Sequence, residues 1–198
     1  MTRVVLATGN PGKVAEMQIT LQEFGFSVVP QSEFDIPEAI ENGLSFVENA
    51  LIKARHACQL TGLPAIADDS GIEVDALQGA PGIYSARYAL ETPEYGEGDE
   101  ANNKRLLAEL ANIVERTARF VCVIVFMQHA KDPTPLICQG FWEGEIATTP
   151  AGDNGFGYDP IFFVPEQACN SAELPATTKK EISHRAKALA NLKQQLQQ

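Results

Sequence analysis

An α/β fold on a mixed β-sheet is what this sequence predicts, and three stretches predict it. At the start, the apolar run Val4-Val5-Leu6-Ala7 passes through a turn dense in Gly and Pro, Thr8-Gly9-Asn10-Pro11-Gly12-Lys13. Val14, Met17, Leu21 and Phe24 then recur at helical spacing up to the breaker Gly25. Next, Phe46, Ala50, Ala54 and Ala57 share one helical face, and Gly62-Leu63-Pro64 closes that helix before a second apolar run. Later, residues 119–127 and 135–141 read as neighbouring strands joined by the turn-rich Lys131-Asp132-Pro133-Thr134. Strands that alternate with helices early and become hairpin-like later imply a sheet with both kinds of pairing.

The remaining elements follow in order. Residues 26–29 read as a short second strand. The run Ala65-Ile66-Ala67-Asp68-Asp69-Ser70-Gly71 reads as a buried strand that ends in two carboxylates at a sheet edge, followed by a Ser-Gly turn. Residues 91–100 carry five acids, no base and two glycines, and read as a mobile, solvated loop. Residues 103–111 read as a helix, residues 151–157 as a second glycine-rich loop, and Leu189, Leu192 and Leu196 mark a closing helix. No internal repeat or linker interrupts the chain, so residues 1–198 are expected to form one domain.

Composition narrows the function. The chain has 198 residues, 44% hydrophobic and 21% charged, an ordinary balance for a soluble globular protein. A net charge of −11 and a pI near 4.7 repel nucleic-acid backbones, so a polyanion partner is not expected. Cys58, Cys122, Cys138 and Cys169 form no CxxC pattern, and no His stands at zinc-finger spacing; buried free thiols are expected. The first apolar run is too short for a signal peptide, and the longest, residues 120–127, is too short to span a bilayer. A reduced cytoplasm and no membrane association are the simplest expectation.

Five constellations carry chemistry. Ionised Asp68 and Asp69 at the end of an apolar strand are costly unless a cation meets them, and hard oxygen ligands favour Mg²⁺ or Mn²⁺; the alternative is a turn in which they bond local backbone N–H groups. The Thr8-to-Lys13 loop, between strand and helix, offers backbone N–H groups and the Lys13 ammonium to an anion. It is not a Walker A loop, and no GxGxxG is present. The alternative there is a plain turn capped by Asn10 with Pro11 opening the helix. Asn49 and Lys53, four apart on one helix face after Glu41-Asn42-Gly43, line a cleft; the alternative is that Glu41 is a surface acid and Lys53 a solvated charge. Phe156 and Tyr158, on Gly155-Phe156-Gly157-Tyr158-Asp159-Pro160, either stack on a base or plug the core. Ser183-His184-Arg185, with Lys179 and Lys180 just before, opens the last helix. Cations there oppose the helix dipole and call for an acceptor-rich neighbour, unless Ser183 is simply an N-cap among surface charges.

Taken together, these segments resemble the inosine triphosphate pyrophosphatase family, its bacterial members most closely. The resemblance rests on Thr8-Gly9-Asn10-Pro11-Gly12-Lys13, Glu41-Asn42-Gly43, Phe46-Val47-Glu48-Asn49-Ala50 with Lys53-Ala54, and Ala67-Asp68-Asp69-Ser70-Gly71. It continues through Gly79-Ala80-Pro81-Gly82-Ile83-Tyr84-Ser85-Ala86-Arg87-Tyr88, Phe156-Gly157-Tyr158-Asp159-Pro160 and Ser183-His184-Arg185, in the family's order over nearly the whole chain. Asn42 stands where the family often has Thr, and the 91–100 loop is longer than usual.

The resemblance implies an elongated mixed sheet flanked by helices, with two lobes around a central cleft, and a homodimer. It implies Mg²⁺-dependent hydrolysis of ITP, dITP and XTP to the monophosphate plus pyrophosphate. By the same resemblance, Thr8, Gly9, Asn10, Pro11, Gly12 and Lys13 hold the phosphates, joined by Lys53. Glu41 and Asp69 bind metal, Asp69 also activates water, and Ser70 touches substrate. Phe156, Gly157, Tyr158, Asp159, Lys179, His184 and Arg185 recognise the purine. A nucleotide-binding regulator without catalysis would keep the glycine loop and base pocket but would not need Glu41, Asp68 and Asp69 together. A pyrophosphatase for pyrimidine nucleotides is the other alternative.

Overall fold

The computed structural model describes residues 2–197. Its strands are β1 (Thr2–Leu6), β2 (Phe26–Pro30), β3 (Ala65–Val74), β4 (Thr117–Met127), β5 (Leu136–Ile146), β6 (Phe162–Val164) and β7 (Cys169–Asn170). They form one sheet in the order β2-β1-β3-β4-β5-β6-β7. β1 pairs in parallel with β2 (Val4 opposite Val28) and with β3 (Val5 opposite Ala65), while β6 pairs antiparallel with β5 and with β7. The sheet is therefore mixed, as the alternation of elements predicts. The α-helices are α1 (Pro11–Glu23), α2 (Phe46–Thr61), α3 (Asp99–Glu109), α4 (Ala176–Ile182) and α5 (His184–Leu196). Among the described residues no helix is long and apolar enough to cross a membrane.

The chain divides into two compact units. The first takes the residues up to Asp69, Cys122–Gly140 and the segment from Lys187 on. In its core, Val4 and Leu6 of β1 and Ile66 of β3 meet Met17 and Leu21 of α1, Cys122 and Ile124 of β4, and Leu189 and Leu192 of α5. The second takes Ser70–Val121 and Phe141–Ala186, with a core of Ile72, Val74, Leu106, Phe120, Trp142, Tyr158 and Phe162.

Local chemistry explains the helix boundaries. The Asn10 side chain caps α1 by accepting from the N–H groups of Gly12 (2.9 Å) and Lys13 (3.2 Å), and Pro11 fills the first turn, where no N–H is needed. At α2, Ser45 accepts from the Glu48 N–H while Glu48 reaches back to the Ser45 hydroxyl and the Leu44 N–H. Gly62, at φ +68°, ends α2 in the left-handed region that a side chain disfavours.

Four elements differ from the sequence expectation. β3 does not stop at Asp69: it runs on through Ser70 and Gly71 to Val74, because Ile72 and Val74 are fully buried and extend the apolar run. The aspartates are thus mid-strand, and no Ser-Gly turn forms. α3 begins at Asp99 instead of residue 103, so the acid-rich segment before it supplies its first turn; the rest of that segment is largely exposed and includes a short 3₁₀ turn at Pro93–Tyr95. β5 continues five residues past 141. Its inward positions include Gly140 and Gly144, which interrupt the hydrophobic alternation, and a Cβ on Gly144 would lie 2.5 Å from the Phe163 carbonyl. Lys179 and Lys180 do not lie at the start of the last helix but in the last turn of α4, where they complement the dipole.

Candidate active site

The strand order β2-β1-β3, paired in parallel, places β1 where the chain connections leave in opposite directions. In such sheets ligands bind beyond the carboxyl ends of the strands at that point. The Thr8-to-Lys13 loop leaves the carboxyl end of β1, and Asp68 and Asp69 follow the residues of β3 that pair with it, Ala65 and Ile66. Two acids, one lysine and a helix N-terminus are thereby gathered in the first unit by topology alone.

The charges pair in a defined way. Lys13 Nζ lies 2.9 Å from Asp68 Oδ2, and the Asp68 side chain is fully buried. Lys53 Nζ lies 3.0 Å from Asp69 Oδ1 and 3.0 Å from Glu41 Oε2, so two carboxylates converge on one ammonium. The solvated reading of Lys53 does not hold, since 13% of its side chain is exposed. Burial works against the Lys53 charge, but Asp69, Asp68 and Glu41 outweigh it and hold its pKa above the ordinary value. Burial pushes the Asp69 carboxyl above its usual range, against the pull of Lys53 and Lys13. Glu41 is held in reach by α2: the buried Asn49 accepts from the Gly43 N–H at 2.9 Å, and His56 Nε2 is 2.8 Å from the Pro37 carbonyl. Asn49 thus pins the loop.

Among the described residues no set of three or more His, Cys, Asp or Glu side chains converges as a ready metal centre. The convergence of Glu41 and Asp69 on the Lys53 ammonium nevertheless marks a point where hard oxygens meet a cation. Two carboxylates, with water and phosphate oxygens making up the remainder, are the donor set Mg²⁺ takes in nucleotide sites. The donors therefore fit the metal that the family resemblance implies.

The second unit holds the other cluster. Asp159, 2% exposed, accepts from Lys179 Nζ (2.5 Å), Ser171 Oγ (2.7 Å) and the Phe156 N–H (2.9 Å). Lys179 Nζ stands 5.2 Å and the Arg185 guanidinium 6.0 Å from the Phe156 ring centroid. Arg185 also donates to Ser70 Oγ at 3.2 Å. His184 stacks on Phe120, with ring centroids 4.8 Å apart and planes at 12°. Ser183 accepts from the Ala186 N–H, as an N-cap does, and Lys180 is exposed, but His184 and Arg185 are buried and are not surface charges. Of the two loop aromatics, Tyr158 is the core plug: it is 4% exposed and its hydroxyl donates to the Ser85 carbonyl, while burial drives its pKa far up. Phe156 is half-buried and remains the aromatic suited to stacking.

The structure thus gathers Lys13, Glu41, Lys53, Asp68 and Asp69 into one cluster, and Ser70, Phe156, Asp159, Lys179 and Arg185 into another. At the Thr8-to-Lys13 loop it shows the Asn10-capped turn. The pairing of Asp68 with Lys13 was not legible in the sequence, because a residue inside one strand and one in a distant glycine loop carry no spacing signal.

The sequence profile of the Ham1 family matches residues 4–195. A dITP/XTP pyrophosphatase of Vibrio cholerae is 60% identical over 97% of this chain and 95% of its own length, and one of Shigella flexneri is 54% identical over 96% and 95%. The solved structure of a HAM1 protein from Coxiella burnetii superposes with a TM-score of 0.91 at 49% identity, covering 100% of this chain and 99% of that one. With a family profile over nearly every residue, and relatives more than half identical end to end, this chain belongs to the Ham1 family.

Proposed function

We propose that this chain is a single-domain pyrophosphatase over residues 1–198 that hydrolyses the non-standard purine nucleoside triphosphates dITP, ITP and XTP. The products are the monophosphate and pyrophosphate, and the effect is to clear these nucleotides from the pool. The observation that carries this reading is the cluster in which Lys13 of α1 and Lys53 of α2 meet Asp68 and Asp69 of β3 and Glu41 from the segment before α2. The activity named for the similar dITP/XTP pyrophosphatases of Vibrio cholerae and Shigella flexneri supports the substrate class.

In this reading Glu41 and Asp69 hold Mg²⁺, for which Mn²⁺ can substitute. When bound, the metal neutralises phosphate oxygens and orients the attacking water. Thr8, Gly9, Asn10, Pro11, Gly12 and Lys13 hold the triphosphate at the N-terminus of α1. Lys13 and Lys53 stabilise the charge that develops on departing pyrophosphate. Asp69 accepts the proton of the attacking water, which its place beside the metal brings within reach. Ser70 contacts the substrate. Phe156 stacks on the purine, flanked by Gly157, Tyr158 and Asp159, and Lys179, His184 and Arg185 direct donors at its 6-oxo group. Adenine presents an amino donor there, and such a mismatch discriminates by about 10⁴ or more. The family resemblance supports a homodimer, and the free cysteines suit a reducing cytoplasm.

Product analysis with dITP, ITP, XTP, GTP and ATP, with Mg²⁺ and with EDTA, tests the reading. Metal-dependent release of IMP or XMP with pyrophosphate, and little from GTP or ATP, is expected. Release of single phosphate would overturn it, and binding without turnover would favour the regulator.

A further inference from the structure

Phe156 owes its position to backbone contacts on both sides. Its own N–H is held by the Asp159 carboxylate, at 2.9 Å. The next residue, Gly157, sits at φ +64° and is gripped at both of its polar backbone groups by α3. Asp99 Oδ2 accepts from the Gly157 N–H at 2.7 Å, and Asn103 Nδ2 donates to the Gly157 carbonyl at 3.0 Å. Asp99 and Asn103 are four apart, so one helix face presents an acceptor and a donor together. A cavity of about 430 Å³ opens against the same loop, lined by Asp99, Asn103, Leu107, Phe156 and Pro160 among others. Tyr158 is anchored in the core, but on the Phe156 side packing would not hold the loop if the grip were cut, because it has space to relax into.

We infer that Asp99 and Asn103 are positioning residues for base recognition: α3 clamps the Gly157 backbone and thereby fixes where Phe156 meets the purine. The inference rests on the base-recognition reading of the 156–159 loop. It also gives the acid-rich 91–100 segment a task, since Asp99 belongs to it. The carboxylate is the stronger half of the clamp, because hydrogen bonds to charged groups exceed neutral ones.

Steady-state kinetics on dITP with Asp99→Ala, Asp99→Asn, Phe156→Ala and the Asp99→Ala/Phe156→Ala double variant tests it. Asp99→Ala is expected to raise KM about tenfold with kcat changed less than about twofold. Asp99→Asn keeps an acceptor oxygen, though a neutral one, and should restore KM in part, which a purely electrostatic role at the helix N-terminus would not allow. In the Phe156→Ala background the effect of Asp99→Ala should vanish, since residues that act through one another do not add. Asn103→Leu, similar in size but without the donor, should raise KM in the same sense. Full multiplication of the two single effects, a fall in kcat at unchanged KM, or a lowered melting temperature with unchanged kinetics would each overturn the clamp. Phe156→Ala with an unchanged KM would sink the base-recognition reading itself, whereas a raised KM there beside an inert Asp99→Ala refutes the clamp alone.

Discussion

Replacing Lys53 with Met removes one ammonium and keeps most of the stem. In the structure that ammonium is 3.0 Å from both Asp69 Oδ1 and Glu41 Oε2, with 12% and 34% of those side chains exposed. Removing one partner of a buried ion pair costs about 3–5 kcal/mol, because the remaining charge stays desolvated. Glu41 is a third exposed and solvent screens its share, so the lower end, about 3 kcal/mol, is expected. For a chain of this length that lowers the melting temperature by about 6–12 °C. Two carboxylates left facing one another should then recruit a divalent cation, and a ligand that binds only the folded state stabilises it by about 2.7 kcal/mol at a hundred times its dissociation constant. Thermal unfolding by circular dichroism, in EDTA and in millimolar Mg²⁺, should show a variant that is weak without metal and rescued by it more than the wild type is. The sign with pH also follows. The Lys53 pKa is raised above its ordinary 10.5, so its stabilisation is complete below that value and is lost as pH climbs through the folded-state value. The wild type should lose stability there and the variant should not. A variant within about 2 °C of wild type, by the same scaling, or Mg²⁺ stabilising both proteins equally, would refute the reasoning.

The other outcomes can be stated briefly. Asp69→Asn should cut kcat by about 10²–10⁴, the usual worth of a general base, with the fold retained by circular dichroism; near-normal kcat would remove Asp69 from the chemistry. Arg185→Ala should weaken ITP more than it lowers the melting temperature, and an equal loss for ITP and ATP would make it a phosphate contact. Gly155→Ala forces a Cβ against the Asp159 carboxylate and within 3.1 Å of Lys179 Nζ, at φ +81°. It should cost about 1–3 kcal/mol and raise KM for dITP, measured by melting and by steady-state kinetics.

The first third of the molecule was legible because its rules are local. Strand, glycine loop and helix are spelled out by hydrophobic spacing, and Asn10-Pro11 announces the start of α1 in the residues themselves. The length of β5 was hidden, since Gly140 and Gly144 occupy inward positions where an apolar residue would have continued the pattern. The end of β3 was misread for the opposite reason: Asp, Ser and Gly are turn formers by habit, yet Lys13 and Lys53 neutralise the acids and the strand carries on. At the site, single residues with strong chemistry could be named, whereas their pairings could not. Asp68 meets Lys13, and Asp99 meets Gly157, across separations of 55 and 58 positions that no periodicity records.

Trp142 is the chain's single tryptophan, and it lies 3% exposed in the second core, stacked 6.4 Å from His184. Its fluorescence therefore reports on one core and is silent about the other, while circular dichroism sums the helices of both. The protein thus carries a built-in optical probe of its own cooperativity. Unfolding curves that coincide by the two signals mean that both cores melt as one thermodynamic body. Curves that separate give each core its own midpoint, and the order in which they fall identifies the half that gives way first.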